Sequence, residues 1–172
     1  MAAIAEKLTP AEFEQQYGDR KPYHEYWFGE AVPKSMPNVI HAALRVLISA
    51  LLRQFGFKVF SELKLKISDD FQPLPDVVAI EGPVESPYPT TPPAIVAEIL
   101  SPDDSFMRVT RKSRIYAEWG IQTVAVIDPE ERRIWVWDGA LQSMRSVTAI
   151  ELPNGKSLSA ERIFGELDEI LK

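Results

Sequence analysis

Two short runs constrain this chain more than anything else in it. Asp76–Ile80 (DVVAI) and Ala94–Leu100 (AIVAEIL) are almost wholly apolar. A strand with one face in water alternates apolar and polar residues, whereas a strand covered on both faces reads as a continuous apolar run. Both runs therefore predict buried strands, and a sheet that contains them needs helices packed against it. Val39–Phe55 supplies one cover. Leu44, Leu47, Ile48, Leu51 and Leu52 recur there at helical spacing, Asn38 stands at the cap position, and Gly56 closes the helix. Arg108–Trp119, ended by Gly120, predicts a second helix between the run at 94–100 and a further strand at Thr123–Ile127.

The remaining segments fit around that frame. Thr9-Pro10-Ala11-Glu12 has the form of a helix start with a capping box, and Gly18 ends the short helix. Tyr26–Val32 reads as a strand interrupted by Gly29. Phe57–Ile67 alternates, with Val59, Ser61, Leu63, Leu65 and Ile67 on one face and Phe60, Glu62, Lys64 and Lys66 on the other. Ser68-Asp69-Asp70 is a turn. Glu81–Pro93 holds five prolines without periodicity and reads as a surface loop. Ile134–Trp137 is the hairpin partner of Thr123–Ile127 across the turn Asp128–Glu131. Met144–Glu151 adds a strand, and Ile163, Phe164, Leu167, Ile170 and Leu171 mark a final amphipathic helix. Together these predict one mixed α/β domain over residues 1–172.

Composition narrows the chemistry. The chain has no cysteine, which excludes disulfides, a thiol nucleophile and a thiolate zinc site. His24 and His41 are its two histidines, too few for a histidine-rich zinc site. Nineteen basic against twenty-five acidic residues give a net charge of −6, without the broad basic footprint usual in nucleic-acid binders. The first ten residues include Glu6 and no apolar core of signal-peptide length. The longest apolar-rich stretch, Val39–Phe55, carries His41, Arg45, Arg53 and Gln54, which is wrong for a membrane span. A soluble, cytoplasmic protein is expected.

Three ionisable residues occupy positions that resist charge. Asp76 opens a buried strand directly after Pro75. Glu98 lies inside AIVAEIL. Lys112 falls in the middle of the arc that Val109, Ile115, Tyr116 and Trp119 define on its helix, while Arg111, Arg114 and Glu118 face the other way. Each has an ordinary explanation by itself: a turn or cap for Asp76, a solvated face for Glu98, a snorkelling stem for Lys112. Burying an unpaired charge costs several kcal/mol, about 2–7 even for a neutral polar group. Three inward charges on neighbouring elements are better explained as a site. Two close carboxylates need a positive charge between them, and a divalent metal or an ammonium would serve. Hard oxygen donors favour Mg²⁺ or Mn²⁺ over zinc.

The segments PDVVAI (75–80), VAEILSP (96–102) and RKSRIYAEWGI (111–121) followed by VAVIDP, with FGEAV upstream, resemble the PD-(D/E)XK nuclease superfamily. Within it they are most similar to the Uma-type restriction endonuclease family, a bacterial domain of unknown function. The resemblance implies a restriction-endonuclease-like mixed β-sheet core of order αβββαβ flanked by helices. It implies that Asp76 and Glu98 ligate Mg²⁺ or Mn²⁺ together with the carbonyl of Ile99, and that the protein hydrolyses DNA phosphodiesters with an activated water. One departure is plain. The superfamily lysine belongs two residues after Glu98, where this chain has Leu100. The resemblance implies that the lysine has moved to the following helix, as Lys112, to stabilise the transition state or position the nucleophile.

Other candidates rank lower. Glu62 could be a further acid beside the metal or part of a solvated strand face, and Glu30 is similar. His41 is expected to be structural or capping, and Asp103 and Asp104 to cap or lead into the helix. Lys58, Lys64, Lys66, Arg108 and Arg111 could line a nucleic-acid cleft or simply be solvated. Trp135 and Trp137 on a strand near a sheet edge lead us to expect a homodimer. The rival to a nuclease is a catalytically silent domain of the same fold that binds nucleic acid or a protein.

Overall fold

The computed structural model describes residues 7–18, 20–102 and 104–172. In chain order its elements are α1 (Pro10–Gln16), β1 (His24–Trp27), β2 (Glu30–Pro33), α2 (Val39–Gln54), β3 (Lys58–Ser61), β4 (Phe71–Gln72), β5 (Val77–Ile80), β6 (Ile95–Ile99), α3 (Phe106–Trp119), β7 (Thr123–Asp128), β8 (Arg133–Asp138), β9 (Ser143–Val147), β10 (Ala149–Glu151), β11 (Ser157–Ser159) and α4 (Ala160–Ile170). No helix among the described residues is long and apolar enough to cross a membrane.

The central sheet has six strands in the order β3-β5-β6-β7-β8-β9. Only β6 and β7 are parallel, and α3 is the crossover that a parallel pair requires. Two layers of core result from the strict alternation of strand side chains. Val77, Ala79, Ile95, Ala97 and Ile99 face α2 and α4. Val78 and Val96 face Tyr116 of α3 and the small sheet β2-β1-β4, through Trp27 and Phe71. Both apolar runs are covered on both faces, as their composition requires, and Glu98 shares its parity with Val96 on the α3 side.

Several expectations hold at residue level. The Thr9–Glu12 capping box forms. Asn38 caps α2 by accepting from the His41 amide at 2.9 Å. Gly120 ends α3 at φ 111°, in the left-handed region where glycine alone is unstrained. Residues 81–93 contain no strand or helix.

Others need correction. The alternation over Phe57–Ile67 does not make one long strand. β3 stops at Ser61 because Glu62 turns into the left-handed region at φ 51°, and Leu63–Lys66 run on without strand pairing. Leu65 and Lys64 are buried there by packing that alternation cannot reveal. Residues 144–151 form two strands, β9 and β10, and β10 pairs with β11 rather than with the main sheet. β8, which carries Trp135 and Trp137, lies next to the sheet edge but is not itself the edge strand: it is paired with β7 and β9, and Trp135 packs edge-on against Phe106 at 5.0 Å. Asp104 leads into α3 just before its N-cap Ser105 and accepts from the Ser101 amide in the preceding turn, and Asp103 lies outside the described residues.

Leu51 is fully buried where α2 meets the sheet. Leu51→Ala should destabilise the protein by about 2–5 kcal/mol, the usual cost of a leucine-to-alanine cavity, measured by urea unfolding.

Candidate active site

Five elements and the segment after β2 bring titratable side chains to one point beside the C-terminal end of β6. Pro75 leads Asp76 into β5, and the strand parity of β6 turns Glu98 toward α3. The buried stripe of α3 is Val109, Lys112, Ser113 and Tyr116. On β1, Glu25 points inward two residues before Trp27. The segment after β2 brings in Lys34, and the first turn of α2 brings in His41. Glu25, Lys34, His41, Asp76, Glu98 and Lys112 line one cavity of about 320 Å³, together with Arg108, Ser101 and Asp104.

Lys112 Nζ lies 2.6 Å from Glu25 Oε1 and 2.7 Å from Glu98 Oε1, so one ammonium bridges two carboxylates. Tyr116 donates its hydroxyl to Glu98 Oε1 at 2.8 Å. Glu25 also accepts from the Leu74 amide at 2.7 Å and from the Trp27 indole at 2.9 Å. Asp76 is held on both oxygens. Oδ1 faces Lys34 Nζ at 2.8 Å. Oδ2 accepts from the Ile99 amide at 2.8 Å and lies 3.3 Å from His41 Nε2. Lys34 also donates to the Leu74 carbonyl at 2.9 Å. His41 Nδ1 is buried without a hydrogen-bond partner.

Burial and pairing pull these groups in opposite directions. Burial opposes the charge on Asp76, but Lys34 and His41 outweigh it and hold the carboxyl well below the usual carboxylate range. Burial pushes Glu98 up, and the Lys112 and Lys34 ammoniums do not fully offset it against the repulsion of Asp76 and Glu25. Burial would lower Lys112, but Glu25 and Glu98 raise it, so it stays an ammonium. Lys34 is raised in the same way, chiefly by Asp76. Burial and Glu98 keep Tyr116 a phenol. Three acids, Glu25, Asp76 and Glu98, thus face the two lysine ammoniums of Lys34 and Lys112.

The structure thus brings Asp76, Glu98 and Lys112 into one cluster, together with the Ile99 amide. Glu62 is not part of it. Its carboxylate pairs with Arg45 at 2.9 Å and does not line the cavity. Glu30 is exposed on β2. His41, expected to be structural, is buried against Asp76. Of the five basic residues considered for a cleft, Arg108 lines the cavity, above the Trp27 ring at 6.0 Å. Arg111 lies over Phe28, Lys64 and Lys66 lie near Tyr88, and Lys58 donates to Gly82.

Sequence reasoning missed Glu25, Lys34 and Tyr116. Glu25 was within reach: the strand begins at His24 rather than Tyr26, and its alternation puts Glu25 on the face of Trp27. Tyr116 sits one helical turn after Lys112, and only its use as apolar surface was read. Nothing local marks Lys34, whose partner is 42 residues away.

Among the described residues, no three Asp, Glu or His groups are gathered into a ready metal cage. The donor chemistry nevertheless fits a hard divalent ion. Asp76 and Glu98 offer hard carboxylate oxygens on one cavity.

The fold has a solved counterpart. The chain superposes with a TM-score of 0.77 on the crystal structure of a nuclease, described as putative and assigned to DUF820, from Anabaena variabilis ATCC 29413. The two are 24% identical, and the match covers 93% of this chain and 99% of that one. The chain belongs to the Uma2 family, described as "Putative restriction endonuclease", whose model matches residues 10–170. No curated protein matches it.

Opposite pKa directions predict opposite mutant effects. A depressed Asp76 contributes stability above its unfolded value near 3.8, and that contribution is lost as pH falls through the lower folded value. A raised Glu98 has the reverse sign: stability is lost as pH rises from its unfolded value near 4.5 towards the higher folded value, above which the buried carboxylate is a constant penalty. Glu98→Gln keeps an oxygen to accept from Tyr116 and Lys112 and removes a charge that burial disfavours. At pH 7 without metal it should raise the melting temperature, and Asp76→Asn should lower it, by about 2–4 °C for each kcal/mol involved.

Proposed function

We propose that this protein is a Mg²⁺- or Mn²⁺-dependent DNA endonuclease whose site is built on Asp76, Glu98 and Lys112. The observation that carries the reading is the cluster itself. Two acids on adjacent strands and a lysine on the crossover helix meet in one cavity, at a cost in desolvation that a packed apolar core would avoid. Family membership supports the nuclease class.

Asp76 and Glu98 would hold the ion, with the Ile99 carbonyl as a further donor from the same strand. An ion there would supply Lewis-acid polarisation of a phosphoryl oxygen and a lowered pKa for water. The chain's own groups do the rest. The Ile99 amide and His41 fix the Asp76 carboxylate, so that it does not rotate away when a cation approaches. Lys112 and Tyr116 fix Glu98 from the α3 side, and the Lys112 ammonium would offer positive charge to the phosphoryl oxygens on which negative charge builds. Glu25 holds Lys112 from behind. Arg108, at the margin, offers a positive contact for a phosphate group of the strand.

The rival is a silent domain of this fold that binds nucleic acid without cutting it. The full internal pairing of the cluster favours that reading, because Lys34 and Lys112 already neutralise most of the carboxylate charge.

Single-turnover cleavage of plasmid DNA with Mn²⁺ separates the two. Wild type should nick the plasmid, and Asp76→Asn and Lys112→Ala should each slow cleavage at least about a hundredfold. Arg111→Ala, on the solvated side of α3, should cleave near the wild-type rate. Salt-sensitive DNA binding with no cleavage by wild type would favour the silent domain.

A further inference from the structure

One cation in the cluster has no part in the reading above. Lys34 follows β2 directly, and its ammonium sits 2.8 Å from Asp76 Oδ1 and 2.9 Å from the Leu74 carbonyl. The two lysines of the cluster are held differently. Lys112 is gripped by two carboxylates inside the protein, with 7% of its side chain exposed. Lys34 is held by one carboxylate and one carbonyl, and 17% of its side chain is exposed. It also stands where two cavities meet. One is the site; the other is lined by Lys21, Tyr23, Met36, Arg45 and Glu62.

The two oxygens of Asp76 differ in the same way. Oδ2 is tied to the backbone amide of Ile99 in β6 and lies against His41 in α2, both parts of packed elements. Oδ1 is met by a flexible four-carbon stem from the segment between β2 and α2. A tethered ammonium on a carboxylate oxygen occupies the position from which a divalent cation would be bound. Two cations cannot share that oxygen in a buried setting without strong repulsion.

We propose that Lys34 is an exchangeable counter-ion. Its ammonium holds Asp76 Oδ1 in the metal-free protein and gives that oxygen up when a divalent cation binds at Asp76 and Glu98. The inference rests on the metal-site reading above. It explains how Asp76 remains ionised and ordered in the buried site without metal, where an unpaired carboxylate would be strongly disfavoured. The released ammonium has the neighbouring cavity to enter, beside Arg45 and Glu62.

The test is calorimetric titration of Mn²⁺ into wild type, Lys34→Met and Lys34→Arg, with a melting curve for each metal-free protein. Lys34→Met removes the competitor. It should melt lower without metal and bind Mn²⁺ about tenfold more tightly, as expected if Oδ1 is free about a tenth of the time in wild type. Lys34→Arg keeps the charge and can bind a carboxylate through two N–H groups, so it should bind Mn²⁺ more weakly than wild type. If Lys34→Met does not fold, the comparison of wild type with Lys34→Arg decides. Equal Mn²⁺ affinity in the folded variants and wild type, or weaker binding by Lys34→Met, overturns the exchange and leaves the metal site standing. No Mn²⁺ binding by any of the three overturns the metal site and the exchange with it.

Discussion

Five charged side chains from distant parts of the chain are buried against one another beside the end of β6. Glu25, Lys34, Asp76, Glu98 and Lys112 could not be buried singly. Each is acceptable only because the others are in place: Lys112 between Glu25 and Glu98, and Lys34 on Asp76. That mutual dependence links the hairpin of β1 and β2, the central strands and the crossover helix more specifically than apolar contact would. Apolar surfaces tolerate sliding, whereas a buried ion pair misplaced by a few ångströms loses its partner. We regard this cluster as the constraint that fixes how the small sheet and α3 dock on the main one.

The surrounding fold serves the cluster in two ways. Apolar layers on both faces of β5 and β6 remove water and strengthen every interaction inside. Backbone groups then supply bonds that do not move. The Ile99 amide holds Asp76 and the Leu74 amide holds Glu25, both at under 3 Å. The result is a set of acids whose ionisation is pushed apart by environment: Asp76 down, Glu98 up. Such divergence within one cavity is common where a site must accept a cation or move a proton.

Much of the architecture was legible because it rests on local rules. The continuous apolar runs identified the central strands, helical periodicity identified α2 and α3, and the caps at Thr9, Asn38 and Gly120 identified element ends. Lys112 could be picked out because a helix wheel is a local geometric fact. Where local rules misled, a single backbone event was responsible. The left-handed turn at Glu62 cut a plausible long strand short and carried Glu62 off to Arg45. Likewise, pairing on both sides of β8 depends on β9, and no pattern within Ile134–Trp137 states that.

By itself, the sequence determined that an α/β sheet with covered strands must form, and that Asp76, Glu98 and Lys112 would carry charge into its interior. Periodicity and composition suffice for that, because burial of a strand or helix face is decided over a few neighbouring residues. Only the tertiary structure decided who neutralises whom. Glu25 lies 87 residues from Lys112, and Lys34 lies 42 from Asp76. Pairings over such distances depend on how the hairpin docks across the sheet. An isolated glutamate or lysine in a short strand looks the same whether it will meet water or a buried partner.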